Sequence, residues 1–339
     1  MKKSAMDKKN GISKLEVSVE KKEMQAKDER EFVVSYRGKV YEISDFLKKH
    51  PGGSKILKPF EGTSLNEVMD QIPHSEAALH LFEDFVKEKQ DDYDSIERLV
   101  DWNAPILWQV GSLTDNYWKW VHLPVNRPIR LFQSDFLEYN SNTPWFIIPI
   151  VWIPVSLYFF YQGYKTEISD NIICSIPHIL IALGLGLLLW TFIEYTLHRK
   201  LFHLKPPADS RTLITLHFLL HGVHHKAPFD HQRLVFPPLP AAIITFILFN
   251  LYKVIFPQIM MHFVMAGAIL GYLTYDMIHY YLHHGSPKAE SYLYKMKRYH
   301  NYHHFSHQEI GFGISTKLWD HVFETLITLR RLAKPSVWQ

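Results

Sequence analysis

The 339-residue sequence predicts a small α+β domain followed by an all-α integral membrane domain. That second domain is expected to have four transmembrane helices and a cytosolic, histidine-rich, metal-binding cap. Three observations carry this prediction. A polar third of the chain precedes an apolar remainder. Four long apolar segments then lie between residues 145 and 281. Ten of the 21 histidines fall into four spaced groups near the ends of those segments. The net charge of +3 is small, so composition points to no nucleic acid and no acidic partner.

In chain order, residues 1–30 read as a disordered tail, rich in Lys and Glu and without an apolar stretch of the secretory kind. Residues 31–100 have the composition of a small soluble domain. Residues 101–142 form a linker punctuated by Trp and Pro, including Trp102, Pro105, Trp118, Trp120, Pro124 and Pro128. Residues 143–331 make the four-helix membrane domain, and 332–339 a short tail. The single cysteine, Cys174, excludes a disulfide within the chain and a thiolate zinc site.

A bilayer core of roughly 30 Å needs about 20 helical residues. Segments 145–164, 171–193 and 259–281 meet that length, and 239–256 is shorter. Pro257-Gln258 alone separates the last two, which predicts a tight helical hairpin. Basic residues gather outside the hairpins, at Arg127 and Arg130, at Arg199, Lys200 and Lys205, and at Lys295, Lys297 and Arg298. By the positive-inside rule, both termini and all four histidine groups face the cytosol.

The first motif lies in the soluble domain. Val40-Tyr41-Glu42-Ile43 and Asp45-Phe46-Leu47 precede His50-Pro51-Gly52-Gly53, and His74-Ser75 follows. Haem iron can take two axial imidazoles, which must face each other from separate elements. His50 and His74 suit that need, and His80 reads as a surface residue.

The second motif is the histidine set His198 and His203, His221, His224 and His225, His279 and His283, and His300, His303 and His304. Residues three and four apart share a helix face, so three groups each present their imidazoles in one direction. His198 and His203 are five apart, so the chain is expected to leave the helix between them. Ten imidazoles are too many for one ion and suit a dimetal centre with about five ligands per ion. Such a nitrogen-rich site beside a membrane points to redox chemistry on a lipid.

Residues 32–100 resemble a cytochrome b5 domain, which implies haem b held by His50 and His74. Glu194-Tyr195-Thr196-Leu197-His198-Arg199, the stretch His217 to His225, the stretch Asp276 to His284 and the final His300-x-x-His303-His304 resemble the fatty acid hydroxylase superfamily. Within it they are most similar to the sphingolipid α-hydroxylases, over about residues 32–330. The resemblance implies O2-dependent (R)-2-hydroxylation of a long fatty acyl chain at the endoplasmic reticulum membrane. Electrons would come from an NAD(P)H-dependent cytochrome reductase through the haem. Iron is expected for turnover, and zinc is possible as the bound metal because it binds nitrogen ligands more tightly than Fe(II).

Four further residues are candidates for orienting ligands or substrate. Asp276, three before His279, is expected to bond an imidazole, since an acid at a membrane boundary needs a partner. Glu194 is expected to act toward His198, His217 toward its neighbouring ligands, and Tyr275 at the acyl entry. His122 reads as structural. The competing functions are a b5-fused acyl desaturase, a sterol desaturase or methyl oxidase, a zinc hydrolase, and a membrane electron carrier with a structural metal site.

Overall fold

The computed structural model describes residues 31–87, 96–169, 175–329 and 336. The expected tails, apart from Ser336, and Cys174 lie outside the described residues.

The N-terminal domain opens with an antiparallel pair, β1 (Val33–Tyr36) and β2 (Lys39–Glu42), registered Val33 to Glu42. Three short helices follow: α1 (Ser54–Leu57), α2 (Asn66–Gln71) and α3 (Glu76–Glu83). Val34, Tyr41, Ile43 and Leu81 form their buried core. Ser75 caps α3 by accepting the Ala78 N–H at 3.2 Å, which fixes where the chain carrying His74 enters the helix.

The linker winds into short helices around a second core, where Trp120, Tyr117 and Val110 meet Phe218 and Ile214 of the cap. His80, expected at the surface, is buried here. Its Nε2 pairs with Glu97 at 2.8 Å, and Glu97 also accepts from the fully buried Lys226 at 2.6 Å. The cause of the difference is a carboxylate 17 residues away, at the end of the same domain, where the chain turns into the linker.

Among the described residues, four helices are long and apolar enough to cross a membrane: α4 (Ile147–Ser169), α5 (Ile176–Leu197), α8 (Pro238–Ile255) and α9 (Gln258–His284). The protein is therefore a multi-pass membrane protein. The Phe256-Pro257 turn between α8 and α9 is as tight as expected, yet α9 packs chiefly on α4 and α5. Small residues explain this choice. A Cβ on Gly186 of α5 would stand 2.1 Å from the Val264 carbonyl oxygen, and one on Gly267 of α9 would stand 2.1 Å from that of Leu183. The two backbones touch, so α9 becomes the buried axis of the bundle.

The cap is built from α6 (Arg211–His217), α7 (Val223–Lys226), α10 (Tyr292–Phe305) and α11 (Leu318–Val322), with the ends of α5 and α9 rising into it. Buried Lys297 of α10 donates to the carbonyls of Leu282 (2.8 Å) and His283 (3.0 Å) at the C-terminal end of α9. This clamps the two helices that carry two of the histidine groups.

Candidate metal centre

The chain does not leave the helix between His198 and His203. It widens into a π turn over His198–Phe202, and the His203 N–H donates to the His198 carbonyl at 3.0 Å. An i→i+5 bond puts residues five apart on one face, so both imidazoles point the same way. A second π turn, Phe218–Gly222, carries His221.

The ten imidazoles form two groups of five. One is His198, His203, His221, His225 and His303; the other is His224, His279, His283, His300 and His304. This corrects the expectation that each three-histidine group faces one direction. Successive residues on a helix are 100° apart. The i and i+4 members, His221 with His225 and His300 with His304, therefore serve one group, while His224 and His303 cross to the other. The two groups abut where His225 stacks on His304, with ring centroids 4.3 Å apart.

Within each group the Nε2 atoms converge. In the first, the pairs His198–His221, His221–His225, His225–His203 and His203–His303 are 3.1–3.2 Å apart. In the second, His279–His224, His283–His300 and His300–His304 lie at 3.1, 2.8 and 3.0 Å. Two nitrogens bonded to one ion at roughly 2.0–2.1 Å stand about 2.9 Å apart at right angles and about 3.4 Å apart in a tetrahedron. The observed spacing lies in the range that nitrogens sharing one ion require. Burial first, then the neighbouring imidazoles, holds His203, His221, His224, His225, His300 and His304 well below the usual imidazole pKa. They are neutral at pH 7, as ligation requires.

Three ligand candidates are oriented from behind. The Nδ1–H groups of His198, His279 and His303 donate to the carbonyls of Phe312 (2.6 Å), Leu234 (3.1 Å) and Ile310 (2.9 Å). Each bond turns Nε2 toward the centre. Here Asp276 differs from expectation, since its bonds are to Phe236 and Tyr272 and not to an imidazole, while Glu194 acts toward His198 through a loop. Asp276 accepts the Phe236 N–H and the Tyr272 hydroxyl at 3.2 Å. Glu194 accepts the N–H groups of Ile314 (2.9 Å) and Ser315 (2.8 Å), and the Ser315 hydroxyl. Each carboxylate thus anchors the loop whose carbonyl holds the histidine. Asp320 grips the same loop at the Phe312 and Gly313 N–H groups.

His217 is also displaced from its expected role. It bonds the Tyr117 hydroxyl at 2.5 Å and packs on Trp118. His284 is exposed beside Tyr280. Sequence reasoning passed over His122, whose ring lies 5.3 Å from His225 and 6.3 Å from His203. It comes from the linker, and nothing in its spacing ties it to the four groups.

A small, mainly apolar cleft opens beside this centre between α5, α8 and α9. Phe202, Tyr275, Glu194 and Trp190 are among its walls. Phe202 lies flat on His221 at 5.1 Å, and Tyr275 is parallel to His279 at 6.0 Å. Two wall residues of the cleft therefore each stack on a histidine, one in each group.

In the N-terminal domain the His50 and His74 rings face each other with centroids 6.3 Å apart. Two nitrogens each roughly 2 Å from a shared ion require about that spacing. His50 Nδ1–H donates to the Gly53 carbonyl and His74 Nδ1–H to that of Ile72, leaving both Nε2 atoms for an axial bond. A Cβ on Gly52 would sit 2.7 Å from His50 Cε1, so only glycine leaves room for the ring. The residues fit a haem.

Fold and site together define a multi-pass membrane oxidoreductase with a fused haem domain. Comparisons with known proteins narrow the class. Residues 183–325 match the fatty acid hydroxylase family model, and residues 18–93 match the cytochrome b5-like heme/steroid binding domain. Fatty acid 2-hydroxylase of Mus musculus is 43% identical over 85% of this chain and 89% of its own. A dihydroceramide fatty acyl 2-hydroxylase of Arabidopsis thaliana is 42% identical over 68% of this chain and 94% of its own. A solved structure described as full-length scs7p, with only the hydroxylase domain visible, matches at a TM-score of 0.62. It is 33% identical and covers 73% of this chain and 92% of that one. The chain belongs to the fatty acid 2-hydroxylase family.

Proposed function

We propose that the protein inserts one atom of O2 at C2 of long-chain fatty acyl groups destined for ceramides and other sphingolipids. The observation that carries this is an apolar cleft whose walls Phe202 and Tyr275 stack on one histidine of each five-histidine group. His198, His203, His221, His225 and His303 would hold one ion, and His224, His279, His283, His300 and His304 the other. Iron, when bound, supplies the reduction of O2 and the removal of hydrogen from carbon, chemistry that zinc lacks. The chain's own residues supply the rest. Phe202 and Tyr275 press on the histidines and confine the first acyl carbons beside them, a proximity effect. Trp190 and Phe236 line the cleft with apolar surface and exclude water. Asp276 and Glu194 keep the supporting loops from drifting.

His50 and His74 would bind haem b, which receives electrons from an NAD(P)H-dependent reductase. Carrying this donor in cis raises its local concentration to about the millimolar range. The basic flanks support a reading with both termini and the cap on the cytosolic side, in a membrane proposed to be that of the endoplasmic reticulum.

The test is sphingolipid mass spectrometry of hydroxylase-deficient cells expressing the wild type, His224→Ala or His50→Ala. The expected result is 2-hydroxyacyl ceramide with the wild type, none with His224→Ala and a marked drop with His50→Ala. New unsaturation or altered sterols in place of the hydroxylated product would overturn the assignment.

A further inference from the structure

The haem domain does not stand free of the cap. Its core runs on into two cap residues, Phe229 and Phe305, both buried. From the haem side, His50 packs on Phe46 with centroids 5.6 Å apart, and Phe46 meets Phe229 edge-on at 6.0 Å. Phe229 stacks on Phe305 at 6.2 Å, and Phe305 is the chain neighbour of His304, with rings 6.3 Å apart. Four ring contacts thus connect a haem ligand candidate to a metal ligand candidate. Polar contacts surround this seam. Asp84 of the haem domain accepts the Asn126 N–H at 2.6 Å and the Arg127 guanidinium. Lys49 lies over Phe229 at 5.8 Å and reaches the Asn126 side chain at 3.4 Å. Glu76 pairs with Lys119 at 2.9 Å. An apolar centre enclosed by charged contacts is the anatomy of a specific interface.

We propose that Phe229, Phe305 and Arg127 form the docking surface for the chain's own haem domain, and that this seating delivers electrons to the metal held by His224, His279, His283, His300 and His304. The inference rests on the function proposed above. Each passage moves one electron. The haem iron goes from ferrous to ferric, one iron of the centre goes from ferric to ferrous, and the reductase restores the haem. The second five-histidine group is filled across the adjoining His225–His304 stack. Two passages, with two protons from solvent, supply what converts the second oxygen atom of O2 to water. Charge complementarity at Asp84 and Arg127 sets the register, and the phenyl rings exclude water from the route.

The test uses full-length, haem- and iron-loaded protein. The haem is reduced, acyl substrate and O2 are mixed in, and haem oxidation is followed by stopped-flow absorbance. Iron-stripped protein gives the background. Arg127→Glu is expected to slow iron-dependent haem oxidation at least tenfold, and adding Asp84→Arg to return it to within about threefold of wild type. Phe229→Leu is expected to slow it about threefold to tenfold with the haem spectrum unchanged. Glu76→Cys with Lys119→Cys, joined by a short bismaleimide, locks the docked pose and is expected to retain the wild-type rate. Wild-type rates in Arg127→Glu and Phe229→Leu, or loss of transfer in the cross-linked protein, would overturn the docking surface while leaving the function intact. Absence of iron-dependent haem oxidation in the wild type would overturn the electron path itself, and this inference with it.

Discussion

The haem domain and the cap both present imidazoles to a metal, but they orient them differently. In the haem domain each histidine is held by a carbonyl close in sequence, Gly53 for His50 and Ile72 for His74. In the cap, the carbonyls that turn His198 and His279 come from residues 114 and 45 positions away, and carboxylates on the histidines' own helices, Glu194 and Asp276, fix those distant loops. The contrast teaches that the haem ligands are oriented by their own segment of chain, whereas the cap site exists only when the whole bundle has assembled.

The difference can be pressed hardest by removing ligands. His279→Ala is expected to abolish 2-hydroxylation, below about 1% of wild type, because no outside group replaces a metal ligand held this deeply. His50→Ala is expected to lose haem absorbance and about 90% or more of the product, yet to recover partly when a separate reduced haem protein is supplied in excess. Equal, unrescuable losses in product assays would break the comparison.

Next comes the assembly of the cap on its linker. Lys226→Met removes the buried cation that Glu97, the Trp120 carbonyl and the Leu123 carbonyl share. Burial already pulls this lysine's pKa down to about 8. Leaving the buried carboxylate with only His80 as a partner is expected to cost about 3–5 kcal/mol, read as lowered thermal stability in detergent. A change of less than about 0.5 kcal/mol, typical of surface substitutions, would show that the linker does not brace the helix bearing His224 and His225.

A smaller effect is expected from the loop anchors. Asp276→Ala and Glu194→Ala are each expected to weaken metal retention about 10–100-fold in a chelator titration, with Asp276→Asn and Glu194→Gln partly restoring it. The haem spectrum should not move. The least disruptive change is Gly52→Ala, which crowds the His50 ring. It is expected to weaken haem binding about tenfold and leave cap metal content untouched, as local bracing requires.

Legibility in the sequence follows the same division. The HPGG turn and the His74-Ser75 pair are local devices, so the haem site could be read from a short window. Length and hydropathy sufficed for the four spans. The split of each three-histidine group between two ions could not be read, since helix geometry offers both the i+3 and the i+4 direction and only the partner groups decide. The five-residue gap from His198 to His203 did carry a signal. A π turn brings two imidazoles with that spacing onto one face, an option that a strict α-helical period conceals. Asp276 and Glu194 stand near the right histidines in sequence, but the loops they bond return from distant parts of the chain.

The most direct test of the interleaved centre is metal content per chain in two double variants. His221→Ala with His303→Ala takes two residues from different sequence groups but one site. His221→Ala with His224→Ala takes two neighbours from one sequence group but both sites. The account predicts about two ions in the wild type, about one in the first variant and close to none in the second, since each site loses ligands only where it is cut. One ion retained in the second variant and none in the first would contradict it.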